Sequence, residues 1–141
     1  MSLIRVGVAA NNFAEAITAA GELLVKAGHV KPQYVSDMIH VVEELGPYIV
    51  IAEGIALAHA APGQNVLSNA ISVALLMEAV DFGGGKMVKA VFALAATDQD
   101  SHIESLGELA SLLSDVELRN VLLTAVESRP IELLLATVLG E

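Results

Sequence analysis

Three short apolar runs constrain this chain more than anything else in it: Tyr48-Ile-Val-Ile-Ala52, Asn69 to Met77 and Lys89 to Ala96. Each is of strand length and nearly free of charge, and the first is β-branched enough to read as a buried strand. Leu3 to Ala9 adds a fourth strand, with Ile4, Val6 and Val8 expected on one face. Ala79 to Phe82 reads as a short extension ahead of the Gly83-Gly84-Gly85 turn.

Between the runs the apolar spacing turns helical. Asn11 and Asn12 supply a cap, Phe13, Ile17, Ala20 and Leu24 recur on one face, and Gly28 closes that helix. Pro32 stands in the first turn of a second helix whose buried stripe is expected to be Tyr34, Met38, Val41 and Leu45, ending at Gly46-Pro47. After Thr97-Asp-Gln-Asp-Ser101-His102 a third helix carries Ile103, Leu106, Leu109, Ala110 and Leu113; Ser114-Asp115 caps a short fourth, and Ser128-Arg-Pro130 a fifth. Strands and helices in this order predict an α/β fold, a three-layer sandwich with helices on both faces of a mixed sheet. With 141 residues and no linker, charge run or repeat, residues 1–141 form a single domain.

Hydrophobic residues make up 55% of the chain and aromatics only 4%, so the core is Ala, Leu, Val and Ile packed by shape. The net charge of -10, from 7 Lys and Arg against 17 Asp and Glu, argues against nucleic acid and fits a basic protein partner better. No cysteine is present, which excludes a disulfide framework and a thiolate nucleophile. No apolar stretch reaches the ~18 residues of a membrane span, and the start lacks the pattern of a secretory signal, so no direct membrane insertion is expected and the mature protein is expected to be the whole chain, while the absence of cysteine is compatible with a cytoplasmic address. An Ala/Leu-rich surface serves as core or as interface, so a homodimer stays open.

His59 stands beyond Gly54 among Ala58, Ala60 and Ala61, small neighbours that leave its ring accessible. His102 likewise follows an apolar strand. Functional groups gather beyond the carboxyl ends of strands in α/β sheets, so the two imidazoles converge if their strands are neighbours. Otherwise His102 is an ordinary first-turn residue of its helix, and by residue pattern alone the two readings are even. Glu53 offers a carboxylate to fix an imidazole tautomer, although a solvated strand end is the commoner fate of a Glu. His29 and His40 suit structural or solvated roles. The Gly83-Gly-Gly-Lys-Met87 run is no phosphate loop: Val80 replaces the first Gly, and Met87 replaces the Ser or Thr. A metal site from His59, His102, Glu53 and Asp100 lacks any helix-borne ligand spacing and ranks low, and no Gly-x-Ser-x-Gly elbow exists.

The stretch from Tyr48 to His59-Ala60, together with Ala93-Leu-Ala-Ala and the following Asp98, Asp100 and Ser101-His102, resembles the mannitol/fructose/ascorbate-type EIIA domains of the bacterial phosphoenolpyruvate-dependent sugar phosphotransferase system. Ala19-Ala-Gly-Glu-Leu-Leu-Val25, Ala79-Val-Asp-Phe-Gly83 and the Leu-rich helix after His102 extend the resemblance over nearly the whole chain, and Gly46-Pro-Tyr-Ile49 is most like the ascorbate-type branch. The resemblance implies that His59 accepts a phosphoryl group from the phosphohistidine of HPr and passes it to a cysteine of EIIB. It implies too that His102 stabilises the phosphoryl group, with Glu53 as a possible orienting residue and no cofactor or metal required. The N–H groups at the start of the helix near Ser101 offer further stabilisation. Ala58 stands where the family usually has proline, and Ala61 where many members have arginine. Two other readings stay beside this one: a regulatory EIIA-like binding module that signals by its phosphorylation state, and, more remotely, a metal-dependent hydrolase using both histidines.

Overall fold

The computed structural model describes residues 3–125. The fifth expected helix, capped at Ser128, lies outside the described residues. Five strands, β1 (Ile4–Val8), β2 (Val50–Ala52), β3 (Gly54–Ala58), β4 (Ala70–Asp81) and β5 (Met87–Ala95), form one sheet in the order β1-β4-β5-β3-β2. The β1–β4 and β3–β5 pairs are parallel, the β4–β5 and β2–β3 pairs antiparallel, so the sheet is mixed. Helices α1 (Phe13–Lys26) and α2 (Pro32–Leu45) cover one face, and α3 (Gln99–Leu113) and α4 (Val116–Thr124) the other. The expected three-layer sandwich is the observed fold.

Strand alternation divides the core between the two faces. From β3, Ala56 and Ala58 enter the α1/α2 core, whereas Ile55 and Leu57 enter the α3/α4 core. β5 repeats the division, with Val91 and Ala93 on the first side and Phe92 and Leu94 on the second. Small side chains on the first side let the helices approach closely. At Gly21 of α1 an added Cβ would lie 2.8 Å from Cγ2 of Val35 on α2.

Several local expectations are corrected. The buried strand is Gly54–Ala58, not Tyr48–Ala52. Pro47–Ile49 instead forms a 3-10 turn with Tyr48 82% exposed, and Val50–Ala52 is a short edge strand. Gly54, at φ +80, makes the tight turn between those two strands. Asn69–Met77 and Ala79–Phe82 are one long strand, β4, with a register shift between Leu75 and Val80. On β1, Ile4 and Val6 face the α3/α4 core but Val8 faces the other, because Gly7 at φ +67 and a register shift turn the strand over. The buried stripe of α2 is Tyr34, Met38 and Val42, one helical turn apart, while Leu45 is exposed.

Candidate functional site

β3 and β5 are parallel neighbours, so their carboxyl ends open at the same edge of the sheet. His59 is the first residue past β3. His102 is the fourth residue of α3, which follows β5 after a short connection. The two rings meet there, with centroids 5.2 Å apart and planes at 56°.

The position of His102 has a local cause. Asp98 caps α3, its side chain accepting from the Ser101 N–H at 2.8 Å, and this sets the phase of the helix. In that phase His102, Leu109 and Leu113 are buried, whereas Ile103 is 59% exposed and Ala110 faces solvent. The imidazole therefore occupies an apolar stripe position. The same cap corrects one expectation: the Ser101 N–H is taken by a carboxylate and is not free for an anion. That backbone N–H is also the main reason the Asp98 carboxyl is held below the usual carboxylate range.

His59 is half-buried, and its Nδ1 lies 2.8 Å from the carbonyl oxygen of Leu57. A carbonyl only accepts, so the bond assigns the proton to Nδ1 and leaves the Nε2 lone pair unshared. His102 is 7% exposed, and its Nδ1 is buried without a hydrogen-bond partner. A buried N–H without an acceptor is rarer than an unsatisfied acceptor, so the pattern assigns the proton to Nε2. Burial first, and the neighbouring His59 second, lower the pKa of His102 from its ordinary 6.5. The pair thus places the Nε2 of His59, with its lone pair unshared, beside a second and more deeply buried imidazole.

Glu53 does not belong to this pair. It is exposed at the β2–β3 turn, and the five residues of β3 stand between it and His59, six steps or about 20 Å at 3.3 Å per residue. The Leu57 carbonyl, not a carboxylate, fixes the His59 tautomer. His29 is held against Ser68, Nδ1 to Oγ at 2.6 Å, and its carbonyl accepts from the Leu67 and Ser68 N–H groups. His40 lies exposed on α2 beside Glu43 and Glu44. Among the described residues, no three His, Cys, Asp or Glu side chains gather as a metal would need. The Gly83–Gly85 turn joins β4 to β5 at the opposite end of β5.

One residue at the site escaped the sequence reading. Tyr34, 1% exposed, reaches from α2 to the backbone just past His59: its hydroxyl accepts from the Ala60 N–H at 3.1 Å and lies 2.7 Å from the Leu94 carbonyl oxygen of β5. Burial is the main cause that raises its pKa, so the phenol keeps its proton. The signal was available, since a tyrosine in a buried stripe must find a partner for its hydroxyl.

Residues 1–137 match the family described as phosphoenolpyruvate-dependent sugar phosphotransferase system, EIIA 2. The mannitol-specific cryptic phosphotransferase enzyme IIA component of Escherichia coli K12 is 33% identical over 125 residues, covering 88% of this chain and 85% of that protein. The ascorbate-specific PTS system EIIA component of the same organism is 32% identical over 117 residues, covering 81% of this chain and 76% of its own. The structure is similar, with a TM-score of 0.84 and 30% identity, to a solved complex of enzyme IIAMtl and phosphorylated enzyme IIBMtl from E. coli, covering 96% of this chain and 94% of that one. No described helix is long and apolar enough to cross a membrane. A mixed sheet covered on both faces and a match along nearly its whole length place the chain in the EIIA type 2 family of the phosphoenolpyruvate-dependent sugar phosphotransferase system.

Proposed function

We propose that this chain is a cytoplasmic phosphocarrier of sugar uptake, which accepts a phosphoryl group on His59 from phospho-HPr and delivers it to a cysteine of EIIB. The observation that carries the reading is the Nδ1–Leu57 bond, which leaves Nε2 as a lone-pair nucleophile beside a second imidazole. In the accepting step the Nε2–P bond forms as the N–P bond of the donor phosphohistidine breaks. Nδ1 keeps its proton on the Leu57 carbonyl, so the ring is held in one orientation throughout. In the delivering step the attacking thiolate forms an S–P bond, and Nε2 recovers its lone pair. His102, as an Nε2–H donor, bonds a phosphoryl oxygen whose charge is spread in the transition state. Glu53 has no part in this scheme. The EIIB partner is supported by the related IIA–IIB complex, and the ascorbate branch by the Gly46-Pro-Tyr-Ile49 resemblance together with the ascorbate-specific relatives.

Incubation with phosphoenolpyruvate, enzyme I and HPr tests the reading. The wild-type protein is expected to acquire one acid-labile, base-stable phosphate, and His59→Ala none. Label retained by His59→Ala would move the acceptor elsewhere.

A further inference from the structure

The β3–β5 ladder stops where the candidate acceptor begins, and a side chain from α2 stands in the gap. The register pairs Ala58 with Ala93, so two residues on Ala60 faces Ala95, and a parallel rung at that level runs from the Ala60 N–H to the Leu94 carbonyl. Both groups meet the Tyr34 hydroxyl instead. Its oxygen accepts from the Ala60 N–H at 3.1 Å and lies 2.7 Å from the Leu94 carbonyl oxygen and 3.3 Å from that of Ala60. A hydroxyl has one proton, and the shorter contact takes it, so Tyr34 donates to Leu94 and accepts from Ala60. The hydroxyl therefore relays one rung of the ladder and widens it, at the level where the chain leaves the sheet. Water does not compete, because the residue is 1% exposed.

We infer that Tyr34 is a positioning residue for His59: by relaying the Ala60–Leu94 rung it fixes the peptide that follows His59, while the Leu57 carbonyl fixes the ring. The two bonds hold the histidine from both sides, one through its backbone and one through Nδ1. Without the hydroxyl, the Ala60 N–H either closes directly on Leu94, drawing the chain into the sheet, or is left buried without a partner. Each outcome shifts the imidazole. Neighbouring bonds hold the rest of the loop but do not reach this peptide: the Lys31 N–H donates to the Asn65 carbonyl at 2.9 Å, and Asn65 Nδ2 to Asp37 Oδ2 at 3.1 Å. The importance of this positioning for transfer rests on the reading of His59 as the phosphoryl acceptor.

Tyr34→Phe removes only the oxygen, and Met38→Ala, buried one turn further along α2, is the control that weakens the same helix without touching the relay. Three quantities are read on the full chain: the His59 ring-nitrogen shifts by 15N NMR, the hydrogen exchange of the Ala60 amide, and the rate of phosphoryl uptake from phospho-HPr. Tyr34→Phe is expected to alter the Nδ1–H signature of His59 and to slow uptake on the order of ten- to a hundredfold, with Ala60 exchange sped by at least about tenfold where its N–H is left unpartnered and kept protected where it closes on Leu94. Met38→Ala lowers the melting temperature with the His59 spectrum unchanged. An unaltered His59 spectrum in Tyr34→Phe, or an equal change in Met38→Ala, overturns the inference. If Tyr34→Phe does not fold, the wild-type Ala60 amide decides: protection equal to that of the β3 amides upholds the relay, and free exchange refutes it. Should the wild type take up no phosphoryl group while the His59 spectrum still responds to Tyr34→Phe, the acceptor reading fails and the positioning stands.

Discussion

The two histidines differ in what surrounds them. His59 has its Nδ1 satisfied by a carbonyl and its ring half in solvent, whereas His102 sits in the apolar stripe of α3 with Nδ1 unpartnered. Burial of His102 has a consequence for stability. Its folded pKa lies below the unfolded value of about 6.5. Between those two values the unfolded chain binds a proton that the folded chain does not, so stability rises with pH through that window. The contribution is full above about pH 6.5, declines as pH falls below it, and is lost below the folded pKa. Denaturant midpoints measured from about pH 8 down to about pH 5 should therefore fall more steeply for the wild type than for His102→Gln. Parallel curves would show that His102 titrates alike in both states. In the transfer assay, loss of one such donor in His102→Ala is expected to lower the rate by about 10²-fold. A rate within threefold, roughly, would remove His102 from the transition state.

At the scale of the elements, the close approach of α1 and α2 controls how Tyr34 reaches the site. Gly21 makes room for it, since a Cβ there would lie 2.8 Å from Val35 Cγ2 and 3.1 Å from Met38 Cε. Ala is favoured over Gly in a helix by about 1 kcal/mol, but overpacking costs about 1–3 kcal/mol, and a β-branched valine has little freedom to yield. Gly21→Ala is thus expected to lower the melting temperature and, by pushing α2 outward, to speed exchange at the Ala60 amide. A higher melting temperature would mean that the two helices separate without strain. The sequence made the elements themselves legible because capping and periodicity are local: Asn12, Pro32, Asp115 and the glycine turn stand where they were expected. It misassigned the buried strand because Tyr48–Ala52 and Gly54–Ala58 are both short and apolar. Only pairing with β5 decides which of them is central, and pairing is not local. Glu53 was misplaced for the same reason, since the strand taken to end before it in fact begins after it. His59 and His102 were readable as strand-end residues. The Tyr34 relay was not, because it joins α2, the loop and β5 across 26 and 60 residues of sequence.

At the scale of the whole molecule, the strand order β1-β4-β5-β3-β2 does the assembling. Running β3 and β5 in parallel side by side brings two histidines that are 43 positions apart to one end of the sheet. The chain as a whole is strongly acidic, with a net charge of -10. Such a field steers a basic docking face and repels an acidic one, over a Debye length of about 8 Å at physiological salt. Phosphoryl uptake under second-order conditions should therefore slow as sodium chloride rises from about 0.02 M to about 0.5 M, with the maximal rate at saturating donor unchanged, because salt screens the encounter and not the buried pair. Stopped-flow or quench-flow measurement of the bimolecular rate constant provides the check. A rate constant that rises with salt would mean that the donor presents a like-charged face, and that the acidic surface hinders the encounter instead of steering it.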